Sequence, residues 1–224
     1  MRSQTGDLFD DVMDAQGGRE TLAEGAVILR GYARDQAQGF LVAVDAITDA
    51  APFRHLVTPG GFRMSVAMTN CGPLGWVSDR NGYRYSPVDP ESGLRWPPMP
   101  EAFRQLASLA AAEAGFPAFT PDACLINRYQ PGTKLSLHQD RDETDLAAPI
   151  VSISLGLPAV FVFGGLTRSA PTTRTRLNHG DVVVWGGPAR LAYHGVQTIK
   201  AGHFPETDHQ RINLTFRKAG SSCA

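Results

Sequence analysis

The segments ACLINRY (123–129), KLSLHQD (134–140), IVSISLG (150–156), AVFVFGG (159–165), TRTRL (173–177), DVVVWGG (181–187), RLAYHG (190–195) and RINLTFR (211–217) follow one another through the second half of the chain. Each is short and rich in β-branched or aromatic residues, and Gly, Pro, Asn or Asp punctuates the intervals. Eight such segments with no helical pattern between them predict an antiparallel sandwich or barrel. A jelly roll is the natural way to arrange them. The expected fold class is mainly β with supporting helices.

Upstream of this run the pattern changes. AVILR (26–30) reads as a short strand, and Phe40, Leu41, Val44 and Ile47 share one face of a helix over about 33–48. Residues 52–98 are turn-rich, with PGG at 59–61, NG at 81–82 and PP at 97–98. Pro100 opens a second helix to about 114, with Gly115 closing it. Met1–Glu24 holds six acids and two arginines and no apolar run, so it is expected to be an acidic flexible tail rather than a signal peptide. One domain is then expected at 25–218, with 25–115 as helical support and covering region, 116–218 as the jelly-roll core, and 219–224 as a second tail.

Residues 146–167 are 22 consecutive uncharged positions, long enough to cross a bilayer as a helix. Pro149, Gly156, Pro158, Gly164 and Gly165 divide them into strand-length pieces, so two buried strands are expected and no membrane span. The 224-residue chain carries 21 Lys+Arg against 22 Asp+Glu, which removes any global electrostatic case for nucleic-acid binding. Cys71, Cys124 and Cys223 form no C-x-x-C pair, so neither a disulfide framework nor a zinc ribbon is expected. A cytoplasmic protein fits this usage.

Two His-x-Asp pairs occur, His138/Asp140 and His179/Asp181. Alternation in LSLHQD puts Ser136, His138 and Asp140 on one side of a strand, where a His and a carboxylate can bind one metal ion. Taken alone, that pair could equally be a solvated strand edge. NHGD reads instead as a turn, with Asp181 bonding local backbone. A 2-His-1-carboxylate site needs a second His from another strand and favours Fe(II) with open positions. His194, 54 residues beyond Asp140, has room to travel round a jelly roll and return beside it.

In RINLTFR, parity puts Arg211, Asn213, Thr215 and Arg217 on one face and Ile212, Leu214 and Phe216 on the other. Inward arginines without inward acids imply an anionic ligand, and guanidinium forks suit carboxylates. Asn127 and Tyr129 share a face of ACLINRY and could donate to the same carboxylate. An exposed polar sheet face remains the alternative. Zinc hydrolysis is also open to such a metal set, although H-E-x-x-H is absent, as is a jelly-roll binding module without turnover.

The pattern His138-x-Asp140…His194…Arg211-x-Asn213…Arg217 is similar to the signature of Fe(II)- and 2-oxoglutarate-dependent dioxygenases. With NRY (127–129), PGTKLSLHQDRDE (131–143), SLGLPAVFVFGG (154–165), HGDVVVWGG (179–187) and RINLTFR, the chain resembles the AlkB family of nucleic-acid dealkylating enzymes over roughly residues 20–218.

The resemblance implies a double-stranded β-helix with a nucleotide-recognition lid in the covering region. It implies His138, Asp140 and His194 as iron ligands, and Asn127, Tyr129, Arg211, Asn213 and Arg217 around 2-oxoglutarate. Arg211 would take the distal carboxylate and Arg217 would lie near the other, with Trp185 and Ser152 in the cavity wall. O2 is the co-substrate, and N1-methyladenine and N3-methylcytosine are the expected lesions, released of their methyl group as formaldehyde. Trp76 would stack on the flipped base opposite His138, and Met64, Met68, Tyr83 and Tyr85 would line the lid, unless they form its ordinary core. Asp142 and Glu143 would face the cationic base. Residues 166–200 carry five Lys/Arg and one acid, and Arg168 and Lys134 are the expected phosphate contacts. Alkylated single-stranded DNA is the implied partner, with double-stranded DNA and RNA as further substrates of a monomer.

Overall fold

The computed structural model describes residues 17–220. In chain order the elements are β1 (Arg19–Ala23), β2 (Ala26–Leu29), α1 (Ala37–Ala50), β3 (Ala67–Cys71), β4 (Gly75–Asp79), β5 (Gly82–Ser86), α2 (Glu101–Glu113), β6 (Ala123–Tyr129), β7 (Leu135–His138), β8 (Ile150–Gly156), β9 (Ala159–Phe163), β10 (Thr173–Leu177), β11 (Val182–Trp185), β12 (His194–Val196) and β13 (Arg211–Arg217). Each of the eight segments of the second half holds all or part of one of the strands β6–β13. They fall into two sheets, a seven-stranded one in the order β1-β2-β11-β8-β13-β6-β3 and a four-stranded one in the order β10-β9-β12-β7. β4 and β5 form a separate hairpin. Every pairing between named strands is antiparallel, as a jelly roll requires.

Strand parity sorts side chains into two cores. Ile212, Leu214 and Phe216 of β13 point outward from the large sheet, against α1 and α2. There Phe40 and Phe103 meet edge to face at 4.9 Å, and Phe103 meets Phe216 at 6.0 Å. The opposite faces of the same strands carry Tyr129, Ile150, Val183 and Trp185, which pack with Phe161, Phe163 and Val196 of the small sheet. α1 starts at Ala37 rather than 33 because a 3-10 turn occupies Arg34–Gln36. Pro100 caps α2 as expected, and Gly115, at φ +100°, lies one residue beyond the Ala114 cap.

Four expectations need correction. Part of the stretch 1–24, expected as a tail, is a strand: Arg19–Ala23 is β1, paired with β2 from Arg19↔Leu29 to Ala23↔Ala26. That pairing covers a sheet edge that would otherwise expose its backbone donors, and Arg30 Nε bonds Glu20 at 3.0 Å across it. Residues 1–16 and the tail residues 221–224, with Cys223, lie outside the described residues. The first hundred residues are more than helical support, since β1, β2 and β3 extend the large sheet. RLAYHG is not one strand, because Gly187–Ala189 forms a 3-10 turn and the strand starts only at His194. Asp140 does not share a strand with His138; β7 ends at His138 and the carboxylate sits in the segment that follows.

The uncharged run at 146–167 forms β8 and β9, and among the described residues no helix is long and apolar enough to cross a membrane. NHGD behaves as a turn: Asp181 accepts from Gly31 N at 2.8 Å, Asn178 N at 2.9 Å and Arg30 Nη1 at 2.7 Å, while His179 Nδ1 accepts from Gly156 N.

β12 and β7 approach closely, and Gly195 permits it. A Cβ there would lie 2.7 Å from the Leu135 carbonyl oxygen. Gly195→Ala is therefore expected to push β12 off β7 and cost about 1–3 kcal/mol. Urea denaturation reads that cost, and a wild-type midpoint would contradict it.

Candidate active site

The register of the small sheet builds the metal centre. His194 of β12 pairs directly with His138 of β7, which puts the two imidazoles side by side at 4.4 Å between ring centroids. Asp140 reaches back to both: Oδ1 lies 3.6 Å from His138 Nε2 and Oδ2 lies 3.7 Å from His194 Nε2. Ligand atoms of the three residues fall within 4.8 Å of one another. Each His Nδ1–H donates to a carbonyl two residues earlier, His138 to Ser136 at 2.9 Å and His194 to Ala192 at 3.0 Å. Those bonds fix the tautomer and leave both Nε2 lone pairs free for a metal.

Asp140 and His194 are held in the charge state that a metal needs. Burial alone would raise the pKa of Asp140, but the Arg217 guanidinium, followed by His194 and His138, holds it well below the usual carboxylate range. Burial and the neighbouring His138 push His194 down to about 4, so its imidazole is neutral at pH 7. Two imidazoles and one carboxylate open to a cavity suit Fe(II).

That cavity, about 540 Å³, runs between the two sheets. Asn127, Tyr129, Arg211, Asn213 and Arg217 all line it, as do Ser152 and Trp185. Arg211 is 1% exposed and donates from Nη2 to Ser154 Oγ at 2.9 Å; among the described residues Nε and Nη1 have no hydrogen-bond partner. Its guanidinium lies 4.9 Å from the Tyr129 ring centroid, and burial lowers its pKa. The Tyr129 hydroxyl and Asn127 Oδ1 are buried and unpartnered too. A buried cation beside free polar atoms calls for an anionic ligand, and a small dicarboxylate such as 2-oxoglutarate fits. Asn213 differs: its amide is already bonded to Ser152 and the Ile153 carbonyl and accepts from Thr215, so it shapes the wall. Arg217 binds Asp140 Oδ2 through Nε at 3.0 Å and Nη2 at 2.6 Å, which gives it a role at the metal ligand that the sequence had not suggested.

The mouth of the cavity is lined by Met64, Met68, Trp76, Tyr83, Lys134, Asp142 and Arg168. Trp76 of β4 stacks on Tyr83 of β5 at 5.6 Å and 13°, and its indole N–H donates to Asp142 Oδ2 at 2.9 Å. Arg168 Nη1 donates to the Leu137 carbonyl at 2.8 Å, one residue before His138.

Glu143 corrects an expectation. It is buried and lies off the cavity lining, accepting from the Tyr85 hydroxyl at 2.7 Å and Arg190 Nη2 at 3.0 Å. It therefore cannot face a base in the cavity; of the pair, Asp142 alone lines it. Arg190 had been counted with the basic excess for phosphate, but it is 3% exposed and bonds inward to the Asp140 and Ala148 carbonyls. Its place in an apolar stretch four residues before His194 was the available signal.

A 2-His-1-carboxylate centre beside an unpaired buried arginine, set inside a jelly roll, defines a non-haem iron oxygenase that uses an oxo-acid co-substrate. Residues 25–217 match the model of the 2OG-Fe(II) oxygenase superfamily. The chain belongs to the AlkB family within it, being 58% identical over 213 residues to the alpha-ketoglutarate-dependent dioxygenase AlkB of Escherichia coli (strain K12), across 95% of this chain and 99% of that one. It is 32% identical over 171 residues to the DNA N(6)-methyladenine demethylase ALKBH1C of Arabidopsis thaliana, across 65% of this chain and 38% of that one. Among solved structures, OsALKBH1 superposes with a TM-score of 0.79 at 29% identity, covering 90% of this chain and 100% of that one. The cofactors are accordingly Fe(II) and 2-oxoglutarate, with O2 as co-substrate.

Arg211→Met separates stability from binding. Removing an unpaired buried charge should leave folding of the metal-free protein unchanged or raise it by about 1–2 kcal/mol. Affinity for 2-oxoglutarate should fall by roughly a hundredfold with the ion pair gone. Calorimetric titration and thermal melting check the two halves, and unchanged affinity would contradict the assignment.

Proposed function

We propose that the chain removes methyl groups from N1-methyladenine and N3-methylcytosine in single-stranded DNA, with double-stranded DNA and RNA as further substrates, as a cytoplasmic monomer. The observation that carries this reading is the cavity itself. An aromatic platform, Trp76 on Tyr83, stands at its mouth, a carboxylate lies beside the platform, and the metal set lies inside. Chemistry on a base edge requires the base to leave the stack, and such a slot receives it.

In this mechanism His138 Nε2, Asp140 and His194 Nε2 hold Fe(II). Arg211 takes the distal carboxylate of 2-oxoglutarate, and Tyr129 and Asn127 supply polar contacts to the same molecule. Trp76 stacks on the extruded base. Asp142 offsets the positive charge that N-methylation puts on the ring, which selects cationic lesions over ordinary bases. Lys134 and Arg168 meet the strand's phosphates, while Phe161, Leu135 and Trp185 keep the cavity dry. When bound, Fe(II) with 2-oxoglutarate and O2 supplies oxidation of the methyl C–H bond, one oxygen atom entering the methyl group and the other entering succinate as CO2 leaves. The hydroxymethyl group then departs as formaldehyde: the C–N bond breaks, its electron pair stays on the ring nitrogen, and the hydroxyl proton passes to solvent.

The test is formaldehyde release from a single-stranded oligonucleotide bearing one N1-methyladenine, supplied with Fe(II), ascorbate and O2. Release should require 2-oxoglutarate and vanish in His138→Ala. Trp76→Ala should raise KM for the oligonucleotide about tenfold, the loss of one base–aromatic stack. Succinate without formaldehyde would overturn the substrate reading and direct the search to RNA or protein.

A further inference from the structure

Glu143 sits in a closed set of charges that joins the β4–β5 hairpin to the metal centre. Two carboxylates, Asp140 and Glu143, are held by two arginines, Arg190 and Arg217. Arg217 touches both acids, Asp140 Oδ2 at 2.6 Å and Glu143 Oε1 at 3.3 Å. Arg190 grips both from the other side, through the Asp140 carbonyl at 2.7 Å and Glu143 Oε2 at 3.0 Å. Its third bond, to the Ala148 carbonyl at 2.8 Å, pins the far end of the same segment. Glu143 and Arg190 are both nearly inaccessible, with side chains 2% and 4% exposed, so these contacts are not weakened by solvent.

The hairpin enters this set through one hydroxyl. Tyr85 of β5 lies directly opposite Trp76 of β4, so the two side chains leave the hairpin on the same face. Trp76 reaches Asp142 and Tyr85 reaches Glu143, neighbouring positions of the segment that begins at the metal ligand. Asp142 is exposed, whereas the Tyr85–Glu143 bond is sheltered, so the latter is the stronger tether. A substrate that seats against Trp76 thus presses on an element one hydrogen bond from Glu143, and Glu143 shares Arg217 with Asp140.

We propose that Tyr85, Glu143 and Arg190 are positioning residues that couple docking of the β4–β5 hairpin over a bound base to the orientation of Asp140 at the metal. The base-docking end rests on the function proposed above; the metal end does not. When the hairpin is seated, Tyr85 fixes one oxygen of Glu143, Arg190 fixes the other, and Arg217 is held against Asp140. Without the Tyr85 hydroxyl, Glu143 keeps only its arginines, Arg217 is free to shift toward it, and Asp140 loses its fixed angle.

Co(II) absorption of the protein reads the ligand geometry without turnover. Tyr85→Phe removes one hydroxyl that touches no metal ligand, and should change the Co(II) band intensities and weaken Co(II) binding about tenfold, the scale of one hydrogen bond to a charged group. Glu143→Gln should do the same or more. Arg84→Ala, which breaks the Arg84–Asp79 bridge on the same hairpin, should leave bands and affinity at wild-type values. Adding the N1-methyladenine oligonucleotide should shift the wild-type bands, and shift those of Tyr85→Phe less while it still binds. In turnover, Tyr85→Phe should form several times more succinate per formaldehyde than wild type. Wild-type Co(II) bands and affinity in Tyr85→Phe would overturn the proposal, whatever Glu143→Gln does and whether or not that variant folds. Because the metal arm contains no nucleic acid, it decides the matter even if the wild-type enzyme releases no formaldehyde from the oligonucleotide.

Discussion

The contact between Arg217 and Asp140 is the constraint on which the site depends. A carboxylate buried between two sheets would ordinarily take up a proton, and a protonated carboxyl is a poor ligand for a divalent cation. The guanidinium, 2.6 Å from Oδ2, reverses that preference, while Oδ1 faces His138 and Oδ2 also lies 3.7 Å from His194 Nε2. Arg217 can do this because it ends β13, where strict alternation sends Phe216 to the helices and Arg217 to the cavity. The outer core of Phe40, Phe103 and Phe216 thus fixes the height at which that guanidinium enters.

The two arginines of β13 hold opposite charge situations. Arg217 is paired with acids of the protein, so it serves the metal ligand. Arg211, six residues earlier on the same face, has two nitrogens without a hydrogen-bond partner and pairs with no carboxylate among the described residues. One strand therefore supplies both a neutralised end and an electrostatic demand that a diacid satisfies.

Alternation made much of this legible in the sequence. β6 and β13 run as regular strands of seven residues each, and for them parity sorted the cavity-facing side chains from the rest. Irregular backbone was opaque. Asp140 lies past the end of β7 and reaches the histidines by a bend that no period encodes. Asp142 and Glu143 are adjacent acids in the same segment, yet one faces the cavity and the other is buried among arginines. Composition also misread Arg190, because a charge tally does not know that a 3-10 turn aims the side chain inward. The edge strand β1 was hidden for a different reason: RETLA is polar, and it is ordered by the unsatisfied rim of β2 rather than by any apolar pattern of its own.

β7 is the outermost strand of the small sheet and has one neighbour, β12. Four residues long, it is secured to that neighbour by a short ladder and by the facing histidines. A metal held by His138 and His194 crosslinks the two strands as a clip, so its departure loosens the rim of the sheet as well as emptying the site. A four-residue edge strand with one neighbour is the kind of element that frays first, and a metal clip closes it at the one point where it is otherwise held only by β12.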